Sequence, residues 1–213
     1  MVTRNKDGRL TAQEKQIVKA LLALRWRNQD IQALINVGRR ATINSARITE
    51  VKSDDGQRSA SDDKVEFYLL KKRSYDPQTG LNLFDDERLI RAREAMILAV
   101  QIFNSAAFKF KSEVFSVLSN IAWTYLLHEY YERKKVNIED DEGRTLLLSQ
   151  MIVRRDCPLA EGVVNNLKAI KEIRDDVVHR ILGRGDVKWL GLFQACCLNF
   201  DRFNCLSNRA HGG

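Results

Sequence analysis

One predicted helix carries three closely spaced side chains that could cleave a phosphodiester bond, those of Arg174, Asp175 and His179. A histidine whose pKa is near its ordinary value of about 6.5 can accept the proton of a ribose 2′-hydroxyl at neutral pH. An arginine keeps its charge and presents a rigid fork of donors to phosphate oxygens. Asp175 could orient either of the other two side chains. These residue types suit RNA cleavage without a metal ion, although a surface ion pair beside a helix-capping histidine would show the same pattern.

A second set of residues, in the basic N-terminal quarter, could contact nucleic acid. Residues 1–52 contain 11 Lys and Arg against 4 Asp and Glu, which accounts for the whole net charge of +7. Arginine can bind guanine, and asparagine adenine, through two hydrogen bonds each. A helical packing module with a solvated basic face is the alternative interpretation. The predicted contacts with DNA or RNA are Arg39, Arg40, Thr42, Asn44 and Arg47.

Other kinds of site find little support in the composition. None of the four cysteines forms a C-x-x-C pair and the three histidines are scattered, so we expect no metal site and no cofactor. No apolar run reaches the length that spans a bilayer, and the charged N-terminal residues do not resemble a signal peptide. The sequence therefore predicts a cytoplasmic protein that does not enter a membrane.

The N-terminal quarter has the pattern of three helices. Thr11–Glu14 has the form of a capping box at the start of the first helix. A second, short helix is predicted from about Asn28 and ends at Gly38, because glycine tolerates the left-handed backbone of a helix terminus. The third helix is predicted to run from about Arg39 to Val51. We therefore expect residues 1–52 to form a trihelical head.

This order of helices is typical of a helix-turn-helix. Ala33 is predicted to be the small residue where the second and third helices cross, and Ile43 to anchor the third helix. Residues 53–85 are predicted to be a linker or connecting arm, with a flexible Ser53–Ser61, a short strand over Val65–Leu70 and a turn at Asp76–Gly80.

Four long amphipathic stretches follow, which predicts an antiparallel four-helix bundle over residues 86–213 and an all-α fold for the chain. The loop between the second and third stretches is the longest and should carry an extra helical turn. The predicted helices are Asp86–Asn104, Lys111–Lys135, Leu159–Leu182 and Val187–Leu206.

Arg174 and His179 form an R-x-x-x-x-H motif on the third helix of this predicted bundle, with an acidic residue directly after the arginine. The bundle thereby resembles the HEPN superfamily (higher eukaryotes and prokaryotes nucleotide-binding domains). More closely, residues from about Asp86 to Ser207 resemble a bacterial HEPN-related family named domain of unknown function 3644. A segment resembling Leu10–Lys52 often comes first in that family. The resemblance implies a metal-independent endoribonuclease that acts on RNA, with a role as a toxin or an anti-phage defence effector.

The resemblance also implies a homodimer. Residues five apart on one helix point roughly 140° away from each other, so one Arg174 and one His179 make an awkward site. In the resembled family two chains combine such pairs across a two-fold axis, and we expect the third helices to meet there. The fourth predicted helix carries more apolar residues than one core needs, namely Leu190, Phe193 and Phe200. This excess favours a dimer interface that includes the fourth helix.

Two other functions remain open at this stage. The head could bind DNA while the bundle only dimerises, which would make the protein a non-catalytic regulator. The bundle could also be an inactive HEPN adaptor that binds RNA or a partner protein. His128 is expected to be a half-exposed helical histidine without a catalytic role. Supporting positions around the motif are Asn165, Asn166, Asp176 and Arg180.

Overall fold

The structure of the protein is a computed structural model that describes residues 8–140, 142–179 and 186–209, with the helical backbone alone at 176–179, 186–188 and 206–209. Nine helices account for most of these described residues, and the described strands form a single two-stranded hairpin. The predicted all-α fold is confirmed. The chain divides into two compact units, Met1–Glu87 and Arg88–Gly213, which we call the head and the bundle.

The head contains four helices and the hairpin, in the order α1 (Ala12–Ala23), α2 (Asn28–Asn36), α3 (Ser45–Ser53), α4 (Asp62–Arg73), β1 (Tyr75–Asp76) and β2 (Leu81–Asn82). The strands pair antiparallel. Apolar residues spaced three or four apart along α1 turn one face of that helix inward. The core of the head is formed by fully buried side chains from α1, α2 and α3, among them Ile17, Leu21, Ile31, Ile35 and Ile48.

Two local predictions in the head are confirmed. The Glu14 amide donates to the Thr11 hydroxyl over 3.1 Å, and the Thr11 amide donates to the Glu14 carboxylate over 2.8 Å, which completes the capping box of α1. Gly38 adopts a left-handed backbone with φ of +69° directly after α2. A Cβ atom at Gly38 would lie 3.0 Å from the Tyr75 ring, so the hairpin also requires glycine there.

The predicted start of the third helix is wrong. α3 begins at Ser45, and Asn44 is its N-cap, with the side-chain oxygen accepting from the Arg47 amide over 3.4 Å. Residues 37–44 therefore form an eight-residue connection, longer than the three or four residues usual in a helix-turn-helix. Ile43 is buried as predicted, whereas Ala33 is exposed and does not mark a helix crossing.

The strand predicted over Val65–Leu70 is also wrong, because these residues lie in α4. Val65 enters the core of the head, and Tyr68 and Leu69 pack partly against it, which is the three- and four-residue spacing of a helix face. The Lys72 ammonium donates to the carbonyls of Ile35 and Val37 over 2.8 and 2.7 Å. α4 is thereby attached to the end of α2.

The bundle contains α5 (Glu87–Asn104), α6 (Lys111–Arg133), α7 (Leu148–Met151), α8 (Glu161–His179) and α9 (Asp186–Arg209). The four long helices begin within two residues of their predicted starts, and α7 is the extra helical turn expected in the longest loop. The predicted end of the third helix at Leu182 lies outside the described residues. None of the helices in the described residues combines the length and apolar character needed to span a bilayer.

α6 lies at the centre of the bundle and buries Trp123 completely. The Phe115 and Phe193 rings lie 4.4 Å apart, and the Trp123 and Phe200 rings 5.5 Å apart, so α6 and α9 run in the same direction. Phe103, near the end of α5, packs against both Phe115 and Phe193. α5 therefore runs antiparallel to α6 and α9.

Candidate functional site

α8 places Arg174 and Asp175 on the flank of the bundle. The inward face of α8 is defined by buried apolar residues at three-residue intervals, Leu167, Ile170 and Ile173. Arg174 and Asp175 follow directly, and their side chains are 31% and 42% exposed. Both charged groups are thus anchored on a rigid helix and remain accessible to a ligand.

Asp175 holds two cations at once. Its Oδ1 accepts from Nε and Nη2 of Arg174 over 2.9 and 2.6 Å, and its Oδ2 accepts from the Lys171 ammonium over 2.6 Å. The hydrogen bond from Lys171, followed by that from Arg174, holds the pKa of Asp175 below its ordinary value. The carboxylate therefore stays charged and restricts the Arg174 guanidinium, while the cluster keeps an excess positive charge for an anion.

His179 is the last residue of α8, and its side chain lies outside the described residues, as do the side chain of Asp176 and the whole of Arg180. Five positions separate His179 from Arg174 along the helix. Their meeting across a dimer axis stays a prediction. The described residues hold no group of three or more His, Cys, Asp and Glu side chains arranged for a metal ion.

The asparagines near the motif occupy different environments. Asn165 is exposed, whereas Asn166 is buried and donates through Nδ2 to the Leu192 carbonyl over 3.0 Å. Asn166 therefore attaches α8 to α9. His128 is buried rather than half-exposed, contacts the Leu146 carbonyl through Nε2 over 2.7 Å, and has its pKa lowered by that burial. Its role is to fix the loop after α6.

Two of the residues expected at a dimer interface lie elsewhere. Phe193 and Phe200 are almost fully buried against Phe115 and Trp123, so the prediction that they exceed the needs of one core is wrong. Leu190 is 51% exposed on α9, and Leu198, two turns further on, is also exposed. Among the described residues of α9, these two leucines are the large apolar side chains that face solvent.

In the head, Arg39 is an internal residue. Its Nη1 lies 2.5 Å from the Glu14 carboxylate, and the two side chains are only 5% and 13% exposed. Nη2 donates to the Arg9 carbonyl over 2.8 Å, and Nε donates to the Ala41 carbonyl over 3.0 Å. Arg39 therefore joins α1, the chain before α1 and the connection before α3, and its guanidinium faces the protein instead of a ligand.

The other predicted contacts lie around the start of α3. Arg40 and Thr42 are exposed in the connection that precedes this helix. Asn44 is exposed, but its side chain is used as the helix cap. Arg47 is partly exposed and bonds both oxygens of Glu50 over 3.0 Å. Arg40, Thr42 and Arg47 thus precede or belong to the first turn of α3 and are wholly or partly exposed, whereas Arg39 is inside the head.

The net charge is distributed differently when it is counted for each structural unit instead of for residues 1–52 alone. Residues 53–87 add 5 basic and 9 acidic side chains, so the head holds 16 Lys and Arg against 13 Asp and Glu. The bundle holds 19 against 15. The positive excess is shared between the units, and the basic N-terminal quarter belongs to a head that also carries an acidic part.

The α5–α6 loop carries exposed residues that the sequence analysis does not single out. Phe108 and Phe110 point into solvent and alternate with Lys109 and Lys111. The sequence does contain a sign of this surface, because aromatic residues and lysines alternate in the segment that joins two predicted helices. Without the structure, either ring could equally have been assigned to the core.

Comparison with known proteins adds one family. The model of the family described as Domain of unknown function (DUF3644) matches residues 87–206, which is more than half of the chain. The matched range contains the Arg174–His179 motif, the whole of α5, α6 and α8, and most of α9. No curated protein and no solved structure gives a significant match to the chain.

Proposed function

The chain belongs to the DUF3644 family, and we propose that its bundle is a metal-independent endoribonuclease of the HEPN type. The observation that carries this proposal is the Lys171–Asp175–Arg174 cluster, which presents a restrained guanidinium on an exposed flank of α8. A fixed cation suits stabilisation of a phosphate that gains charge during cleavage, and the histidine of the same motif follows five residues later on the helix.

In the proposed reaction His179 acts as the general base. It accepts the proton of a ribose 2′-hydroxyl, and the 2′-oxygen attacks the adjacent phosphorus as the bond to the 5′-oxygen breaks. Arg174 binds the phosphate oxygens on which negative charge accumulates. The leaving 5′-oxygen takes a proton from water and His179 later returns its proton to water, so the products are a 2′,3′-cyclic phosphate and a free 5′-hydroxyl.

The proposed enzyme is a cytoplasmic homodimer in which two copies of α8 face each other. This arrangement would place the Arg174 of each chain near the His179 of the other. The exposed Leu190 and Leu198 on α9 supply apolar surface for the contact. A toxin or an anti-phage effector is the biological role that the resemblance to HEPN proteins suggests.

The head is proposed to contact nucleic acid in the manner of a helix-turn-helix, through Arg40, Thr42 and Arg47. The exposure of these side chains at the start of α3 supports this assignment. Asn44 could contribute only if its cap to α3 opened, and Arg39 is proposed to position the connection instead.

The test is incubation of the purified full chain with RNA in the presence of a chelator. We expect cleavage products ending in 2′,3′-cyclic phosphates, and loss of cleavage in His179→Ala. His211→Ala is the matched control, because it removes a histidine outside the motif. Absence of cleavage by the wild type, even with cell extract added to supply an activator, would favour the non-catalytic DNA-binding regulator.

A further inference from the structure

The tip of the bundle formed by the α5–α6 loop exposes two aromatic rings. Phe108 and Phe110 are 41% and 55% exposed, and their centroids lie 6.4 Å apart at an angle of 66°. The Phe110 carbonyl accepts from the Val114 amide, so the backbone is fixed by the start of α6 while the ring projects outward. Two neighbouring exposed rings on a rigid turn suit a ligand that stacks.

Lysines alternate with these rings. Lys109 is exposed between them, and Lys111, half-buried, begins α6 directly after Phe110. The segment therefore offers two flat apolar faces and two ammonium groups within four consecutive residues. A single-stranded nucleic acid has the complementary pattern, because each nucleotide carries a flat base and a negative phosphate.

Other ligands fit this tip less well. Two phenylalanines bury less apolar surface than one myristoyl chain, which by itself gives only marginal membrane binding. A stable protein interface needs about 800 Å² on each partner, far more than four residues offer. Base stacking, by contrast, gains affinity from each ring separately and needs no large continuous surface.

The tip lies at the same end of the bundle as Arg174. Phe193 packs 5.3 Å from Phe103 at the end of α5 and 4.4 Å from Phe115 near the start of α6, which places the start of α9 at the α5–α6 loop. Six residues separate the end of α8 from the start of α9, and the seven steps between those ends span at most about 25 Å, less than the length of either helix. The C-terminal end of α8 therefore lies at this end too.

We propose that Phe108, Lys109, Phe110 and Lys111 form a contact surface for single-stranded RNA, which leads the strand toward the site at Arg174. The rings stack on two bases and the lysines bind the phosphates between them. The inference rests on the proposed function, since it names an unpaired RNA strand as the substrate class of the same bundle.

The experiment measures binding separately from cleavage. The full chain carrying His179→Ala is titrated onto a fluorescent single-stranded RNA of about 12 nucleotides, and anisotropy gives the dissociation constant. Arg40→Ala and Arg47→Ala are included in the same background, so that the proposed contacts of the head do not contribute to the signal.

Phe108→Ala with Phe110→Ala should raise the dissociation constant by about a hundredfold, since each of the two stacked rings contributes roughly tenfold. Phe67→Ala with Phe84→Ala is the matched control, because these exposed rings of the head also pack edge to face, 5.5 Å apart, and should change the constant less than about twofold. An unchanged constant in the first pair, or an equal loss in the control, would overturn the contact surface.

Lys109→Ala with Lys111→Ala should lower the slope of log affinity against log salt by about 1.4, as expected for two fewer contacts with single-strand phosphates. An unchanged slope would contradict the assignment of the lysines. Binding of anionic phosphatidylserine vesicles that is lost in the phenylalanine pair, with RNA affinity intact, would overturn the proposal in favour of a membrane.

These outcomes separate the two proposals. If the wild type cleaves no RNA but the phenylalanine pair loses RNA affinity, the ribonuclease assignment fails and the contact surface stands. If the wild type cleaves RNA and the phenylalanine pair binds and cleaves it normally, the contact surface fails alone.

Discussion

Two arginines that the sequence offers as ligand contacts pair with acids in different surroundings. Arg39 of the head reaches Glu14, 25 positions away, and both side chains are nearly buried. Arg174 of the bundle pairs with the adjacent Asp175, and about a third of each side chain or more remains exposed. The first pair connects distant segments, whereas the second restrains a charge at the surface. The same residue types thus serve the fold in one unit and are available to a ligand in the other.

Burial explains why the two pairs should respond differently to mutation. Removal of one partner of a buried pair leaves an uncompensated charge in a poorly solvated place. An exposed pair contributes little to stability because water solvates either partner alone. Stability measurements should therefore distinguish Arg39 from Arg174, and assays of binding or cleavage should give the opposite ranking.

The largest expected effect on stability is that of Arg39→Ala. We expect the head to lose about 3–5 kcal/mol of unfolding free energy, because Glu14 stays buried without its cation. Hydrogen exchange of the α1 and α2 amides measures the stability of the head by itself. Arg47→Ala is the control, as it removes an arginine from an exposed pair and should cost at most about 1 kcal/mol. If the two substitutions lower the unfolding free energy equally, the buried pair is no more important for stability than the exposed pair.

The exposed leucines of α9 should matter for assembly. We expect the wild type to scatter light as a dimer at micromolar concentration. Leu190→Asp should raise the dimer dissociation constant by at least about tenfold, since burial of one leucine contributes roughly 1.5–3 kcal/mol. Leu147→Asp changes a leucine that is also more than half exposed, in the loop before α7, and should leave the dimer unchanged. A wild-type monomer would remove the basis for joining Arg174 and His179 across two chains.

A smaller effect is expected for nucleic-acid binding by the head. Arg40→Ala with Arg47→Ala should reduce the salt slope of duplex DNA binding by about 1.8, because two phosphate contacts are lost. Filter binding over a range of salt concentrations measures the slope. Arg25→Ala with Arg27→Ala removes two arginines near the start of α2 as a control. If both double variants flatten the slope equally, the end of α3 has no special role.

The smallest effect concerns pH. Burial, more than any neighbouring charge, lowers the pKa of Lys72 from 10.5 to about 8, and Glu14, Arg39, Lys71 and Asp85 also influence it. Between these two values the unfolded state binds more protons than the folded state, so the unfolding free energy of the head should rise with pH.

Lys72→Met removes this titration. The unfolding free energy of the wild type relative to Lys72→Met should therefore increase as the pH is raised from 8 toward 10.5 in urea titrations. A difference that stays constant over that range would show that Lys72 is solvated and that α4 is attached loosely to the end of α2.

The long helices and the capping box could be predicted because their signals are local. Thr11 and Glu14 are three residues apart, and the apolar spacing of α5, α6, α8 and α9 repeats over many turns. The Arg39–Glu14 pair could not be predicted, since nothing local connects residues that far apart. From the sequence alone, an arginine that contacts a ligand cannot be distinguished from an arginine in a buried ion pair.

Two errors have identifiable physical causes. The six residues Val65–Leu70 are rich in strand-forming side chains, and so short an apolar run does not distinguish a strand from a helix. Only Val65 is fully buried there, and Phe67 and Leu70 face solvent. Asn44 could have been recognised as an N-cap, but the preceding arginines suggested an earlier helix start.

The candidate site was identified from Arg174, Asp175 and His179 alone, but its details depend on a neighbour one turn earlier. Lys171 binds one oxygen of the Asp175 carboxylate while Arg174 binds the other, and the motif itself does not include Lys171. Pairs of opposite charges at i and i+4 are common on exposed helices, so nothing in the amino-acid pattern distinguishes Lys171 from other lysines.

The decisive measurement is RNA cleavage by Arg174→Ala in single turnover, with a chelator present and with thermal unfolding of the same preparation recorded in parallel. We expect a rate about 10²–10⁴-fold below wild type and an unchanged unfolding temperature of the bundle, because the guanidinium is proposed to bind the substrate phosphate and its exposed ion pair contributes little to the fold. Lys168→Ala, which removes an exposed cation from the same helix, should cleave like the wild type. If Arg174→Ala cleaves RNA at the wild-type rate, or loses cleavage only because it no longer folds, Arg174 does not have the proposed role.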